Sequence, residues 1–70
     1  MKGLGLIREN NETWREAVRR VSTKFGKTNR CIAEFDRLVH TGEDEEFAAL
    51  YALSTYDCLE TIDARLLVGQ

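Results

Sequence analysis

The side chains of this 70-residue chain best suited to act as a paired nucleophile and base are Cys31, Cys58 and the single histidine, His40. Hydrolytic chemistry would need a nucleophile, a base and an orienting group within hydrogen-bond reach of one another. On one helix the spacing of Cys31 and His40 is a rotation of about 900°, which places them on opposite faces. A structural zinc site usually has four ligands in closely spaced pairs, and that spacing is missing here. We therefore expect neither a catalytic dyad nor a bound metal ion.

Two glycine-containing segments carry part of a nucleotide-binding pattern. Residues 26–28, Gly-Lys-Thr, match the end of a phosphate-binding loop, but the pattern requires a glycine where Val21 stands and a preceding strand. Gly3 and Gly5 lack the third glycine of the dinucleotide fingerprint. The sequence therefore predicts a binding protein rather than an enzyme, with no cofactor.

The composition is that of one small folded domain spanning residues 1–70. Hydrophobic residues make up 43% of the chain, and the net charge of -2 is too balanced for a disordered tail. No apolar run reaches the length of a membrane span, and residues 1–8 are too short for a signal-peptide core. We expect a cytoplasmic protein whose two cysteines stay reduced in the core.

The first positioning element is a helix over residues 13–25. Thr13 and Glu16 have the spacing of a capping box, although Asn10 or Asn11 could provide the cap instead. Apolar residues then recur with the period of one helical face, and Gly26 ends the element as a left-handed residue. The predicted inner face consists of Trp14, Ala17, Val18, Val21 and Phe25.

A second helix is predicted over residues 28–41. Thr28 or Asn29 could cap its start, and Gly42 ends it. Its predicted inner residues are Cys31, Ile32, Phe35, Leu38 and Val39.

The chain after Gly42 allows two interpretations. A helical period continues to residue 67, but one rod of that length, about 36 Å, would extend far beyond its partners. We favour a break near Ser54 and Thr55, which gives helices over 44–54 and 56–67. The alternative is a homodimer that buries the apolar stripe of Leu59, Ile62 and Leu66 in a second copy.

Residues 3–7 alternate loosely, and no partner strand is visible in the sequence. We expect an extended N-terminal segment that lies across the helices. The fold class is therefore all-α, a small three- or four-helix bundle.

Charge is unevenly distributed along the chain. Residues 1–37 hold nine bases and five acids, a net charge of +4, whereas residues 38–70 hold one base and seven acids, a net charge of -6. The two halves could pair with each other, or they could attract two different partners.

Residues 17–37 resemble a helix-turn-helix, because Gly26 occupies the turn position and the small residue Ser22 precedes it by four. The resemblance implies that the second helix reads DNA bases while the first contacts phosphates. The residues that this DNA-binding alternative would use are Arg15, Arg19, Lys24, Lys27, Asn29 and Arg30.

Acidic and tyrosine side chains in the second half favour binding to a protein with a basic surface. The candidate contact residues are Glu43, Asp44, Glu45, Glu46, Tyr51 and Tyr56. In size, charge and helical content the chain resembles the small accessory proteins of bacteriophages and prophages, which include anti-CRISPR inhibitors of bacterial defence. That resemblance implies a host protein or complex as the partner and assigns no residue a role.

Overall fold

The computed structural model describes residues 2–6 and 8–63. Three helices form a bundle: α1, Trp14–Lys24; α2, Thr28–His40; and α3, Glu45–Thr55. Two short strands, β1 (Lys2–Gly5) and β2 (Glu60–Asp63), pair as an antiparallel ribbon. Each helix packs against the other two, as expected for a small all-α bundle. No helix in this part of the chain has the length and apolar character needed to span a membrane.

The start of α1 is the predicted capping box. The Glu16 amide donates to Thr13 Oγ1 at 3.1 Å, and the Thr13 amide donates to Glu16 Oε1 at 2.9 Å. Two of the amides that a helix start leaves without a helical acceptor are thereby satisfied.

The start of α2 differs from the prediction. Its N-cap residue is Lys27, with no side-chain hydrogen bond to the first turn, so the predicted capping by Thr28 or Asn29 is wrong. The Thr28 hydroxyl instead lies 2.9 Å from the Thr23 hydroxyl. This contact joins the last turn of α1 to the first turn of α2.

All three helices end in the same backbone motif. A left-handed residue follows each C-cap: Gly26 at φ 69°, Gly42 at φ 99° and Asp57 at φ 56°. The next amide donates to the carbonyl five residues back, from Lys27 to Ser22, from Glu43 to Leu38 and from Cys58 to Leu53. These are Schellman motifs, and Asp57 occupies the position that glycine holds in the other two.

The core is formed by the inner faces of the helices together with Leu6 and Cys58. Its fully or nearly fully buried residues are Leu6, Ala17, Val18, Val21, Cys31, Phe35, Leu38, Ala48, Ala49, Ala52, Leu53 and Cys58. Phe25, predicted to lie inside, is 44% exposed, because it is the C-cap of α1 and its backbone has left the helical conformation.

The predicted fourth helix over 56–67 is wrong for residues 60–63, which form β2. Residues 64–67 lie outside the described residues. The N-terminal segment is extended as predicted, but it has a partner strand: Lys2 pairs with Asp63 and Gly5 with Glu60. The physical reason is that strand pairing gives the backbone N–H and C=O groups of both segments hydrogen-bond partners, whereas those of a lone extended segment would have only water.

Candidate protein-binding surface

The inner face of α3 is made almost entirely of alanine. Ala48, Ala49 and Ala52 are fully buried, as is Leu53 at the edge of the same face. Side chains this short allow α3 to lie close to both α1 and α2. Leu53 is therefore the one large side chain of α3 that is fully buried.

The large side chains of α3 lie on its outer face. Phe47 and Tyr51 are each 47% exposed, one helical turn apart, and their ring centroids are 5.8 Å from each other at a tilt of 34°. Leu50, between them, is half-buried. The exposed half of each residue contributes nothing to the burial that stabilises the bundle.

Four consecutive acidic residues precede this aromatic pair. Asp44 is the N-cap of α3, and its Oδ2 accepts from the Phe47 amide at 3.2 Å. Glu45 and Glu46 occupy the first turn, where negative charge is favourable beside the positive end of the helix dipole. Glu43 also belongs to the end of α2, because its amide donates to the Leu38 carbonyl. All four side chains are exposed.

We call Glu43, Asp44, Glu45, Glu46, Phe47 and Tyr51 the acidic aromatic surface. Five of its six members are among the candidate contact residues named from the sequence, and Phe47 is the addition. Its exposure follows from its position on α3, opposite the alanine face. The sixth predicted residue, Tyr56, is the half-buried C-cap of α3 and does not belong to this face.

The surface is bordered by the last turns of α2. Arg37 and Glu34 form an ion pair there, which lowers the pKa of Glu34 and raises the pKa of Arg37. Tyr51 and Tyr56 lie near enough to raise the pKa of Arg37 further by electrostatic attraction. Because Glu34 already pairs with Arg37, this arginine neutralises little of the charge at residues 43–46.

The predicted DNA-binding residues do not share one environment. Arg15 forms a two-bond ion pair with Asp36, with distances of 2.9 and 3.0 Å, and this pairing lowers the pKa of Asp36. Lys27 donates from Nζ to the Tyr56 carbonyl at 2.8 Å and so supports the end of α3. Both side chains therefore have partners within the protein.

The other four predicted DNA-binding side chains are exposed: Arg19, Lys24, Asn29 and Arg30. Asn29 and Arg30 line an open cleft of about 610 Å³ at the turn between α1 and α2, together with Phe25 and Lys27. A second cleft, of about 400 Å³, lies beside Arg15 and Arg19 at the start of α1.

Only part of the predicted homodimer stripe lies within the described residues. Leu59 is half-buried and packs against the core, so that much of it is covered within one chain. Ile62 lies on β2, and Leu66 is outside the described residues.

The two cysteines lie side by side in the core. The sulfur atoms of Cys31 and Cys58 are 3.7 Å apart, and both residues are fully buried. Burial, and then the hydrogen bond to Cys58, raises the pKa of Cys31 to about 12. His40 is exposed in the last turn of α2. Within the described residues, no group of three or more His, Cys, Asp and Glu side chains could hold a metal ion.

No family model matches the chain, and no curated protein or solved structure matches it significantly.

Proposed function

We propose that this chain is a protein-binding module whose acidic aromatic surface binds a basic and apolar segment of another protein. The observation that carries the proposal is the outer face of α3, where the large apolar side chains Phe47 and Tyr51 are each about half exposed. Exposed aromatic side chains in contact with one another are typical anchors of protein interfaces.

The charge of the surface indicates the chemistry of the partner. Glu43, Asp44, Glu45 and Glu46 are consecutive and exposed, and they form one edge of the aromatic pair. Such an edge speeds encounter with lysine- and arginine-rich segments and repels acidic ones. A partner with basic residues around an apolar centre is complementary to this arrangement.

The resemblance to small phage accessory proteins supports a host protein or complex as the partner, with inhibition of that protein as the outcome. On this proposal, adding the chain to the purified partner lowers the partner's activity, and a chain with a disrupted α3 surface does not.

The test compares paired variants in capture from a bacterial lysate followed by binding measurements with the purified partner. Phe47→Ala combined with Tyr51→Ala should weaken binding at least tenfold. Phe25→Ala removes an aromatic of similar exposure at the turn between α1 and α2 and should leave the affinity unchanged. Equal effects of the two changes would contradict the proposal.

Charge reversal provides a second pair of variants for the same test. Glu45→Lys with Glu46→Lys should release the partner, whereas Arg19→Glu with Arg30→Glu should not. If the arginine changes alone release it, the α1 and α2 side of the molecule is the binding surface instead.

A helix-turn-helix DNA-binding function is the second candidate, favoured by the short turn of residues 25–27. Gly26 has a left-handed backbone, Ser22 is fully buried beside it, and Asn29 and Arg30 are exposed at the start of α2. On this alternative, duplex affinity falls steeply with added salt and weakens with Arg30→Ala. Absence of duplex binding at low salt would remove it.

A further inference from the structure

The thiols of Cys31 and Cys58 form a pair that the proposed binding surface does not use. Cys31 lies in the first part of α2, and Cys58 is 27 residues later, directly after the left-handed Asp57 that ends α3. Their sulfur atoms are 3.7 Å apart, and a disulfide bond requires about 2.0 Å. A movement of less than 2 Å, about the length of one covalent bond, would therefore join them.

The backbone is less constrained at Cys58 than at Cys31, and among the described residues its one restraint there is the Cys58 amide hydrogen bond to the Leu53 carbonyl at 2.7 Å. Cys31 is held within α2 by helical hydrogen bonds, whereas Cys58 lies on the connection between α3 and β2, outside either element. The Cys58 thiol donates to the neighbouring Tyr56 carbonyl at 3.3 Å and accepts from the Cys31 thiol. Joining the two sulfur atoms gives up only hydrogen bonds of the thiols, which are weak donors: those to the Ala52 and Tyr56 carbonyls and the one between the thiols.

We propose that Cys31 and Cys58 form a reversible intramolecular disulfide when the chain meets a low-molecular-weight disulfide such as glutathione disulfide. The thiolate of one cysteine attacks the glutathione disulfide, which breaks its S–S bond and releases one glutathione thiolate. The second cysteine, as thiolate, then attacks the protein sulfur of the mixed disulfide and releases the second glutathione. In total the protein loses two hydrogen atoms as two protons and two electrons, and one glutathione disulfide becomes two glutathione molecules.

Burial makes this reaction slow and dependent on local opening. Both thiols are fully buried, and the raised pKa of Cys31 keeps its thiolate scarce at neutral pH. Exposure of the connection at residues 56–59 would give the oxidant access to Cys58 first. Once formed, the bond ties α2 to the segment that leads into β2 and closes a long loop of the chain.

The experiment incubates the full chain in mixtures of reduced and oxidised glutathione, followed by acid quenching, mass spectrometry and peptide mapping. We expect a product lighter by two hydrogen atoms, a crosslinked peptide joining Cys31 to Cys58, and a rise in Tm of about 10 °C that dithiothreitol reverses. Oxidation should also be faster in a urea concentration that is too low to unfold the bundle.

Two variants provide the controls. Cys31→Ala and Cys58→Ala should each stop at the glutathione adduct or remain unmodified, without the rise in Tm. If either fails to fold, the wild-type peptide map still decides the question. Two alkylatable thiols at equilibrium with excess glutathione disulfide, stable glutathione adducts on both cysteines, or only intermolecular dimers would overturn the proposal.

Discussion

The outer faces of α2 and α3 are built from different kinds of residue. Around the outside of α2 the exposed side chains are mostly polar or charged: Asn29, Arg30, Asp36, Arg37 and His40. On α3 the exposed centre is the aromatic pair Phe47 and Tyr51, with charge confined to the start of the helix. Both helices bury one face in the same core, so burial alone does not decide what the other face must be.

This contrast indicates which part of α3 stabilises the fold. Its alanine face and Leu53 are fully buried, and α3 packs against both α1 and α2. The aromatic pair lies at solvent-facing positions that polar residues could occupy, as they do on the outer face of α2. We infer that the inner face of α3 serves stability and the outer face serves binding, and substitutions on each face can separate the two roles.

The largest expected effect is on the inside of α3. Leu53→Ala removes one of the largest fully buried side chains and leaves a cavity between the helices. We expect a loss of about 2–4 kcal/mol in the free energy of unfolding, measured by urea denaturation. A loss below about 1 kcal/mol would show that this face is loosely packed and that the inner and outer faces of α3 do not differ in their contribution to stability.

Substitutions at the helix ends should change the stability less, and Gly26→Ala and Asp57→Gly should act in opposite directions. Gly26→Ala should lower the free energy of unfolding by about 1 kcal/mol, because φ at residue 26 is 69° and a side chain disfavours this left-handed conformation. An added Cβ would meet open space, so no steric clash increases the loss. Asp57→Gly should instead stabilise by about 0.5 kcal/mol, since it places glycine in the same left-handed position at the end of α3.

Urea denaturation of both variants, with Asp57→Ala as a control, measures this pair. The control should be less stable than the wild type, because alanine tolerates the left-handed conformation less well than aspartate. A destabilising Asp57→Gly would mean that the Asp57 side chain contributes more than its backbone costs.

Acidification should weaken α1 through its ion pairs. The hydrogen bond from Arg20 lowers the pKa of Glu12 below its ordinary value of 4.5, and the two side chains are only 26% and 13% exposed. A carboxylate with a lowered folded pKa stabilises above its unfolded pKa, and the contribution is lost as the pH falls through the folded value.

Thermal denaturation between pH 6 and pH 2.5 should therefore show a steeper loss of stability for the wild type than for Glu12→Gln. At pH 6 the variant should be less stable by about 1 kcal/mol. Parallel profiles for the two proteins would show that the Glu12 and Arg20 pair contributes nothing.

The smallest expected change in stability is on the outside of α3. Phe47→Ala and Tyr51→Ala should each alter the free energy of unfolding by no more than about 0.5 kcal/mol, although each removes an aromatic ring. Circular dichroism and urea denaturation, run beside Leu53→Ala, give the contrast directly. A large loss would mean that the pair stabilises the fold and would remove the main support for a binding role.

The three helices could be predicted from the sequence because local signals agree there. The Thr13 and Glu16 capping box, the left-handed Gly26 and Gly42, and the apolar periods of α1 and α2 all act over a few residues. The end of α3 carries a weaker signal, since aspartate is less common than glycine in the left-handed position that Asp57 adopts.

The ribbon and the cysteine pair could not be predicted because they depend on contacts between distant parts of the chain. Leu59 and Ile62 fit a helical period as well as they fit an extended segment, and only pairing with residues 2–5 decides between the two. The acidic residues of the candidate surface were predictable from their run in sequence. Phe47 was not singled out, because the faces of α3 are both apolar and the sequence alone does not show which one is covered.

The ribbon of β1 and β2 has a consequence for the order of folding. Its paired residues, such as Lys2 with Asp63, are separated by almost the whole described chain, whereas the helices form from near neighbours. Closing so large a loop costs entropy that only a collapsed bundle can reduce by bringing both segments together beforehand. We expect strand pairing to be the last event of folding and the first to be lost on heating, with its amide protons exchanging before those of the helices.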